Sequence, residues 1–191
     1  MRGFSLVEML IVLLLIVTVC AMAIPRVDAV LDHWRTRGAA FFMASRVALT
    51  RTKAVQRNAN TGLRFEPEGT SFRMGSYADG NRNGLRTAEI RSGIDPEVLP
   101  SERLDHLFGG VTFGFIPGAC LIDGTPVAPG ADPIRFGTTD TVIFSPLGTA
   151  TSGTIYLRGR GAWQYAVVVL GATGRSRVLR FDPASRTWWA P

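Results

Sequence analysis

The chain has 191 residues and a formal net charge of +6, with 46% hydrophobic and 19% charged residues. This length fits one domain with an appendage and excludes two full-sized domains. The basic balance, with a pI of about 10.3, suits a partner that carries phosphate, anionic lipid or nucleic acid, and a plain solvated surface explains it as well.

The first predicted element is an apolar segment near the N-terminus. Residues 9–24 are apolar except for Thr18, and with residues 4–7 they form a stretch of about 20 residues, the length of a helix that crosses a bilayer. A secretory signal peptide is the competing hypothesis, because Ala-Met-Ala at residues 21–23 resembles a cleavage site. It predicts a secreted protein, such as an enzyme, released after cleavage near Ala23. The single basic residue Arg2 and the long apolar core fit that hypothesis poorly.

Glu8 argues against the signal peptide. A carboxylate inside an apolar span costs roughly 2.5–3.5 kcal/mol on insertion scales, so it is normally functional and partnered. The stretch Gly-Phe-Ser-Leu-Val-Glu at residues 3–8 resembles the type IV prepilin processing motif. The cleavage-site glycine, the aromatic first residue, the glutamate and the long apolar run coincide, and Pro25 stands where pilins often carry a proline.

This resemblance implies how the N-terminus is processed and used. A prepilin peptidase would cleave between Gly3 and Phe4 on the cytoplasmic side, and Phe4 would then be N-methylated. The apolar segment would anchor the subunit in the inner membrane, with the remaining chain in the periplasm, and would later pack in a filament with other pilins. Glu8 would pair with the α-amino group of a neighbouring Phe4, since the two charges then offset their desolvation penalties. Arg2 agrees with the positive-inside rule.

The helix is predicted to continue beyond the membrane as an amphipathic segment over residues 26–60. Apolar residues recur there at spacings of three and four. They are Val27, Leu31, Trp34, Phe41, Phe42, Ala48, Leu49 and Val55. Asn58–Gly62 is a plausible stop signal, so a helix over residues 4–58 would be roughly 80 Å long.

After residue 60 the pattern changes to short strands separated by turn residues. The predicted strands are Thr61–Phe65, Thr70–Ser76, Val111–Ile116, Thr141–Ser145, Gly153–Leu157, Gln164–Leu170 and Ser176–Phe181. The last three form an antiparallel meander. Residues 77–110 and 117–133 are predicted as loops, with a short helix at Ser101–Phe108.

The predicted fold class is α+β, with a long N-terminal helix packed on antiparallel sheet. Its parts are a leader over residues 1–3, a transmembrane helix over 4–25, an amphipathic helix over 26–60 and a periplasmic β-rich domain over 61–191.

Two regions resemble the GspH/FimT group of minor pilins and pseudopilins. One is the helix end, ALTRTKAVQRN over residues 48–58, and the other comprises FSPLGTA at 144–150, GTIYL at 153–157 and GRSR at 174–177. The resemblance implies a minor pseudopilin, a structural subunit of a type II secretion or type IV pilus-like filament. It leaves open an alternative, a FimT-like minor pilin that binds DNA during natural transformation.

Arg175 and Arg177 are the candidate DNA-binding residues under that alternative. They stand two apart, so on a strand they point to one face, and the group's GRxR motif binds DNA. Arginine stays charged and its planar fork grips phosphate oxygens. Arg158, Arg160 and Arg180 lie in the same third of the chain. The competing interpretation is that these arginines protect a strand edge against aggregation and that the nearby tryptophans fill the core.

Asp79, Asn81 and Asn83 precede Gly84 as in the opening of a calcium loop. The match then fails, because Ile90 occupies the position of the bidentate glutamate. We therefore expect a turn-rich loop, and these three residues are the weak candidates for calcium. No set of residues with catalytic spacing emerges elsewhere, so the sequence predicts no enzyme and no other cofactor.

Overall fold

The computed structural model describes residues 5–69, 71–137 and 139–191, and only the backbone of residues 22–25. The helices are α1 (Leu6–Arg57), α2 (Thr87–Ser92) and α3 (Leu104–Leu107). The strands are β1 (Thr61–Glu68), β2 (Ser71–Ala78), β3 (Glu97–Arg103), β4 (Thr112–Phe113), β5 (Ile134–Arg135), β6 (Thr141–Phe144), β7 (Gly153–Arg158), β8 (Gln164–Leu170), β9 (Arg175–Asp182) and β10 (Thr187–Trp189). This confirms the predicted α+β class.

Helix α1 has 52 residues and is about 78 Å long at 1.5 Å per residue. It ends at Asn58, which adopts the left-handed conformation with φ 49° and donates its N–H to the last helical turn. Asparagine tolerates this conformation, so the predicted stop signal is confirmed. One face of the second half of α1 is buried in the domain, and it carries Ala39, Ala40, Met43 and Val47.

Two antiparallel sheets share one core with α1. The first sheet has the order β3-β2-β1-β6, and the second has the order β10-β9-β8-β7-β4, with β5 also pairing β7. The predicted meander is confirmed, because β8 pairs β7 and β9 in register, with Gln164 opposite Arg158 and Leu170 opposite Arg175. Leu63 of the first sheet and Tyr165 of the second are fully buried in the common core.

Near its middle, α1 is fastened to the β7–β8 turn by a carboxylate. Both oxygens of Asp32 accept backbone N–H bonds, from Arg160 and from Gly161, each at 2.9 Å. Gly159 lies so close to Asp32 and Thr36 that any side chain there would collide with them. A carboxylate that binds two successive N–H groups is a charge-assisted contact, so this turn has one fixed position on the helix.

Near its end, α1 is fastened to the β6–β7 loop by Arg51, and the β8–β9 turn packs at the same place. Its Nε donates to the Gly148 carbonyl at 3.0 Å, in the β6–β7 loop. Gly174, in the β8–β9 turn, has φ +59°, and a Cβ there would collide with the Gly148 carbonyl oxygen. The glycine of the GRSR motif is therefore required both by its backbone conformation and by this close approach.

The region predicted as loops contains secondary structure that the sequence pattern missed. The helix expected over Ser101–Phe108 is wrong in its first half, because β3 runs to Arg103 and only Leu104–Leu107 is helical. Pro100 lies inside β3, where it obscures the strand signal. It is tolerated because β3 pairs only with β2, at the edge of the first sheet.

Other predicted element boundaries also differ from the observed ones. The strand predicted over Val111–Ile116 is only Thr112–Phe113, because the Ile116 N–H donates to the buried Gln164 side chain at 2.8 Å instead of joining a ladder. The short elements α2, β5 and β10 were not predicted. Thr70, the predicted first residue of the second strand, lies outside the described residues.

Replacing Gly174 with alanine should lower the free energy of unfolding by at least about 3 kcal/mol, because a strained positive φ and a backbone collision are combined. Gly130→Ala is the matched control, since Gly130 also has a positive φ, +74°, but open space around its Cα. It should lose only about 1 kcal/mol. Denaturant unfolding of the full chain in detergent micelles measures both, and equal losses would contradict the close approach.

Candidate functional site

The first half of α1 is a surface of apolar side chains that no described part of the chain covers. Every large apolar side chain from Leu6 to Val19 is exposed. In the described part of the chain, α1 is the one helix that is long and apolar enough to cross a membrane, and none of its apolar span is buried. Such a surface requires lipid or a partner helix to cover it.

Glu8 lies in the first turn of α1, exposed among these apolar side chains. A carboxylate is favoured there by the positive end of the helix dipole. Gly3 and Phe4, the predicted processing residues, lie outside the described residues. The cleavage site, the methylation and the pairing of Glu8 with Phe4 therefore stay predictions.

Arg175 and Arg177 project from one face of β9. Both are exposed, and among the described residues neither forms a salt bridge. The residues between and after them face α1: the Ser176 hydroxyl lies 3.5 Å from the Ala44 carbonyl, and Val178 packs on the core. The arginine pair therefore points away from the helix, on the outer face of the second sheet.

The register adds Arg135 to this outer face. Residues directly opposite each other on neighbouring strands share a face. Arg177 is opposite Val168, Val168 is opposite Thr154, and Thr154 is opposite Arg135. Arg177 and Arg135 thus lie in one cross-strand row, about 14 Å apart at 4.8 Å per strand. Sequence reasoning missed Arg135 because β5 has only two residues and no strand signal.

The structure does not bring the other predicted arginines to this pair. Arg158 is at the far end of β7, opposite Gln164, whereas Arg175 is opposite Leu170. Gln164 and Leu170 are six residues apart on β8, so Arg158 and Arg175 are separated by about 20 Å along the strands. Arg180 points to the opposite face of β9, where its guanidinium lies 5.9 Å from the Trp163 ring centroid. Arg160 lies in the β7–β8 turn.

His33 lies where α1 meets the start of β8. Its ring centroid is 4.1 Å from that of Trp163, and its Nδ1 is buried without a hydrogen-bond partner among the described residues. Burial lowers the pKa of His33, and the positive charges of Arg180 and Arg37 lower it further, against a smaller opposing effect of Asp32. The neutral imidazole is therefore the form that the folded state favours.

The calcium candidates lie together in one loop, where their polar atoms bind the loop and the adjoining helix α2. The buried Asp79 carboxylate accepts N–H bonds from Asn83 at 3.2 Å and Gly84 at 2.8 Å. The amides of Asn81 and Asn83 donate to Glu89, at 3.2 and 2.9 Å. The described residues contain no group of three or more metal-ligating His, Cys, Asp or Glu side chains. Calcium binding stays a prediction.

Asp95, between α2 and β3, is a buried carboxylate that binds the same loop and that sequence reasoning missed. Its two oxygens accept the N–H groups of Gly80 at 3.0 Å and Arg86 at 3.2 Å. Asp79 and Asp95 thus hold the loop from both sides through its backbone.

A helix that is exposed and apolar in its first half and packs on antiparallel sheets in its second half defines a pilin-like subunit. The two halves of α1 require different surroundings, which is the property expected of a subunit anchored by its N-terminal helix. The chain belongs to the family of the type II transport protein GspH, whose model matches residues 40–174. The family expected from the processing motif and the C-terminal motifs is thereby confirmed.

Two solved structures are similar to the chain, both of the minor pseudopilin EpsH from the type II secretion system of Vibrio cholerae. One has 14% identity and a TM-score of 0.46, over 76% of this chain and 97% of the other. The second has 13% identity and a TM-score of 0.44, over 76% and 94%. A comparison with curated proteins found no match.

The lowered pKa of His33 predicts that acid destabilises the fold. The unfolded chain takes up the proton near the ordinary pKa of about 6.5, before the folded chain does, so stability present above that pH is lost as the pH falls. The melting temperature of the full chain in detergent should therefore fall between pH 7.5 and pH 5. His33→Gln should flatten this fall, while replacement of the exposed His106 by glutamine should not. An unchanged pH dependence in His33→Gln would contradict this assignment.

Proposed function

We propose that the protein is a minor pseudopilin of a type II secretion system, anchored in the inner membrane by the first half of α1 with its globular domain in the periplasm. The observation that carries the proposal is the exposed apolar surface from Leu6 to Val19, continuous with a helix that is built into the domain core. Membership of the GspH family supplies the secretion context.

Under this proposal, the apolar surface from Leu6 to Val19 is covered first by lipid and later by neighbouring subunits. Lipid tails cover it while the subunit waits in the membrane, and neighbouring pseudopilin helices cover it in the filament. Lipid and leucine side chains are equally apolar, so the transfer between them costs little, and close packing and polar contacts decide the assembly. Glu8 supplies the polar contact, by pairing with the α-amino group that cleavage after Gly3 exposes on Phe4 of a neighbour.

Glu8→Val should leave the chain in the membrane fraction but reduce its incorporation into filaments at least about tenfold, because a neighbour's ammonium group loses its partner in an apolar core. Leu10→Val is the control, since it introduces the same side chain into the same apolar surface without removing a charge. Incorporation is measured by co-purification with sheared filaments. Equal incorporation of wild type and Glu8→Val would overturn the role of Glu8.

A second candidate function is DNA binding by the outer face of the second sheet. Arg175 and Arg177 are exposed and aligned there, and Arg135 extends their row across the sheet. Three guanidinium groups on one face suit the phosphates of a nucleic acid backbone without selecting a sequence. The observation that favours this candidate is the absence of a salt bridge to either member of the pair among the described residues.

DNA binding by the full chain in zwitterionic micelles, followed across a salt series, tests this candidate. Arg175→Ala/Arg177→Ala should weaken binding and flatten the slope of log K against log salt by about two units. Arg57→Ala/Arg91→Ala is the matched control, since it removes the same charge from exposed positions elsewhere. No binding at low salt, or equal effects of the two double variants, would leave the secretion subunit as the sole candidate.

A further inference from the structure

The end of the globular domain that lies nearest the apolar half of α1 can be located from its contacts. Among the described side chains, the first in α1 with a hydrogen bond or a ring contact to the domain are Asp32, through the β7–β8 turn, and His33, through Trp163. The apolar run ends at residue 24, eight residues before Asp32, which is about 12 Å along the helix. The headgroup layer of a bilayer is about 5–8 Å thick on each side. This end of the domain therefore lies just above the membrane if α1 spans it.

We define the membrane-proximal surface as residues 26–37 of α1, the turn 159–163 and residues 180–189. It carries two tryptophans that the fold does not bury, Trp34 and Trp189, each 59% exposed. Indole rings favour the headgroup level of a bilayer, because one edge is apolar and the N–H remains solvated. Exposed to water alone, these two rings are unfavourable.

Arginines accompany the two exposed rings. The Arg37 guanidinium lies 5.7 Å from the Trp34 ring centroid. Arg180 is directly opposite Trp189 in the β9–β10 pair, so the two side chains share a face. Arg160, in the turn that Asp32 holds, is exposed as well. The rings and the cations are thus interleaved on one surface.

The charge of the membrane-proximal surface is positive. Its charged residues are Arg26, Arg35, Arg37, Arg160, Arg180 and Arg186 against Asp28, Asp32 and Asp182. Asp32 has both oxygens occupied by backbone N–H groups, and Asp182 accepts bonds from Ala184 and Ser185. An excess of arginine beside exposed indole complements anionic phospholipid headgroups, which offer phosphate oxygens to the cations.

We propose that the membrane-proximal surface rests on anionic phospholipid headgroups of the membrane that α1 spans, and so fixes the orientation of the domain before assembly. The inference depends on the proposed function in one respect, the insertion of α1. Lipid is favoured over a neighbouring subunit as the occupant because the surface is continuous with the membrane segment along one helix. The Arg175/Arg177 pair lies at the opposite end of β9, at the level of Ala44 and Arg51 of α1.

The test uses the full chain reconstituted into vesicles of phosphatidylcholine alone or with about one-third phosphatidylglycerol. Flotation and resistance to alkaline extraction first report whether α1 is inserted. Tryptophan quenching by a lipid with a nitroxide headgroup then reports whether the domain rests on the surface. We expect stronger quenching when phosphatidylglycerol is present, and a fall of about half or more in Arg160→Ala/Arg180→Ala. The far pair, Arg175→Ala/Arg177→Ala, is the charge-matched control and should quench as wild type does.

A second pair of variants keeps the test valid if Arg180→Ala disturbs folding. Trp189→Phe removes an exposed ring and should reduce quenching, whereas Trp188→Phe removes a half-buried ring, whose Nε1 bonds the Cys120 carbonyl, and should change it little. If the chain floats with the vesicles but tryptophan quenching is the same with and without phosphatidylglycerol and in all four variants, this inference is overturned. The membrane anchor then stands. Shielding of these rings only after a second pseudopilin is added would assign the surface to a neighbouring subunit and overturn the inference equally. A chain that does not float would overturn the anchor itself.

Discussion

The packing of the second half of α1 against two antiparallel sheets is the contact on which the rest of the structure depends. Ala39 and Ala40 have small side chains, so the sheets approach the helix backbone closely, and Met43 and Val47 continue the same buried face. Because the helix is unbroken from Leu6 to Arg57, this packing also fixes where the apolar first half emerges from the domain. The apolar half and the domain are therefore joined by one continuous helix and not by a linker.

This arrangement sorts the arginines of the last third of the chain by their height along α1. Arg160 and Arg180 lie at the level of Asp32 and His33, close to the apolar half. Arg175 lies five residues before Arg180 on β9, which is about 17 Å, and on the side of the domain where Gly174 approaches Arg51. Under the proposed insertion of α1, the cations at the two ends of the domain face different surroundings, lipid at one end and the aqueous phase at the other. The arginines of the last third of the chain therefore do not form a single basic patch.

Much of the fold was predictable from local pattern, and the errors have physical causes. The bounds of β8, Gln164–Leu170, were predicted correctly because a run of apolar residues lies between two turns rich in glycine. Strand β3 was missed because Pro100 interrupts it, and an edge position is what makes that proline acceptable. The processing motif and the GRSR motif are local, so the family could be predicted from them.

The parts that could not be predicted are contacts between distant residues. Nothing near Asp32 in sequence indicates that its carboxylate binds a turn 128 residues later. Arg135 joins the outer face only through the register of four strands, which periodicity does not reveal. Asp95 has no motif, and its role becomes apparent only when the N–H groups that it accepts are located.

The two fastenings of α1, by Asp32 and by Arg51, have a mechanical consequence. They lie nineteen residues apart, nearly 29 Å along the helix axis. A helix held at two such points can neither slide through its domain nor rotate within it. Under the proposed insertion of α1, an axial displacement of the segment from Asp32 to Arg51 therefore carries the whole domain with it. The helix and the domain therefore move together along the helix axis, without slipping past each other.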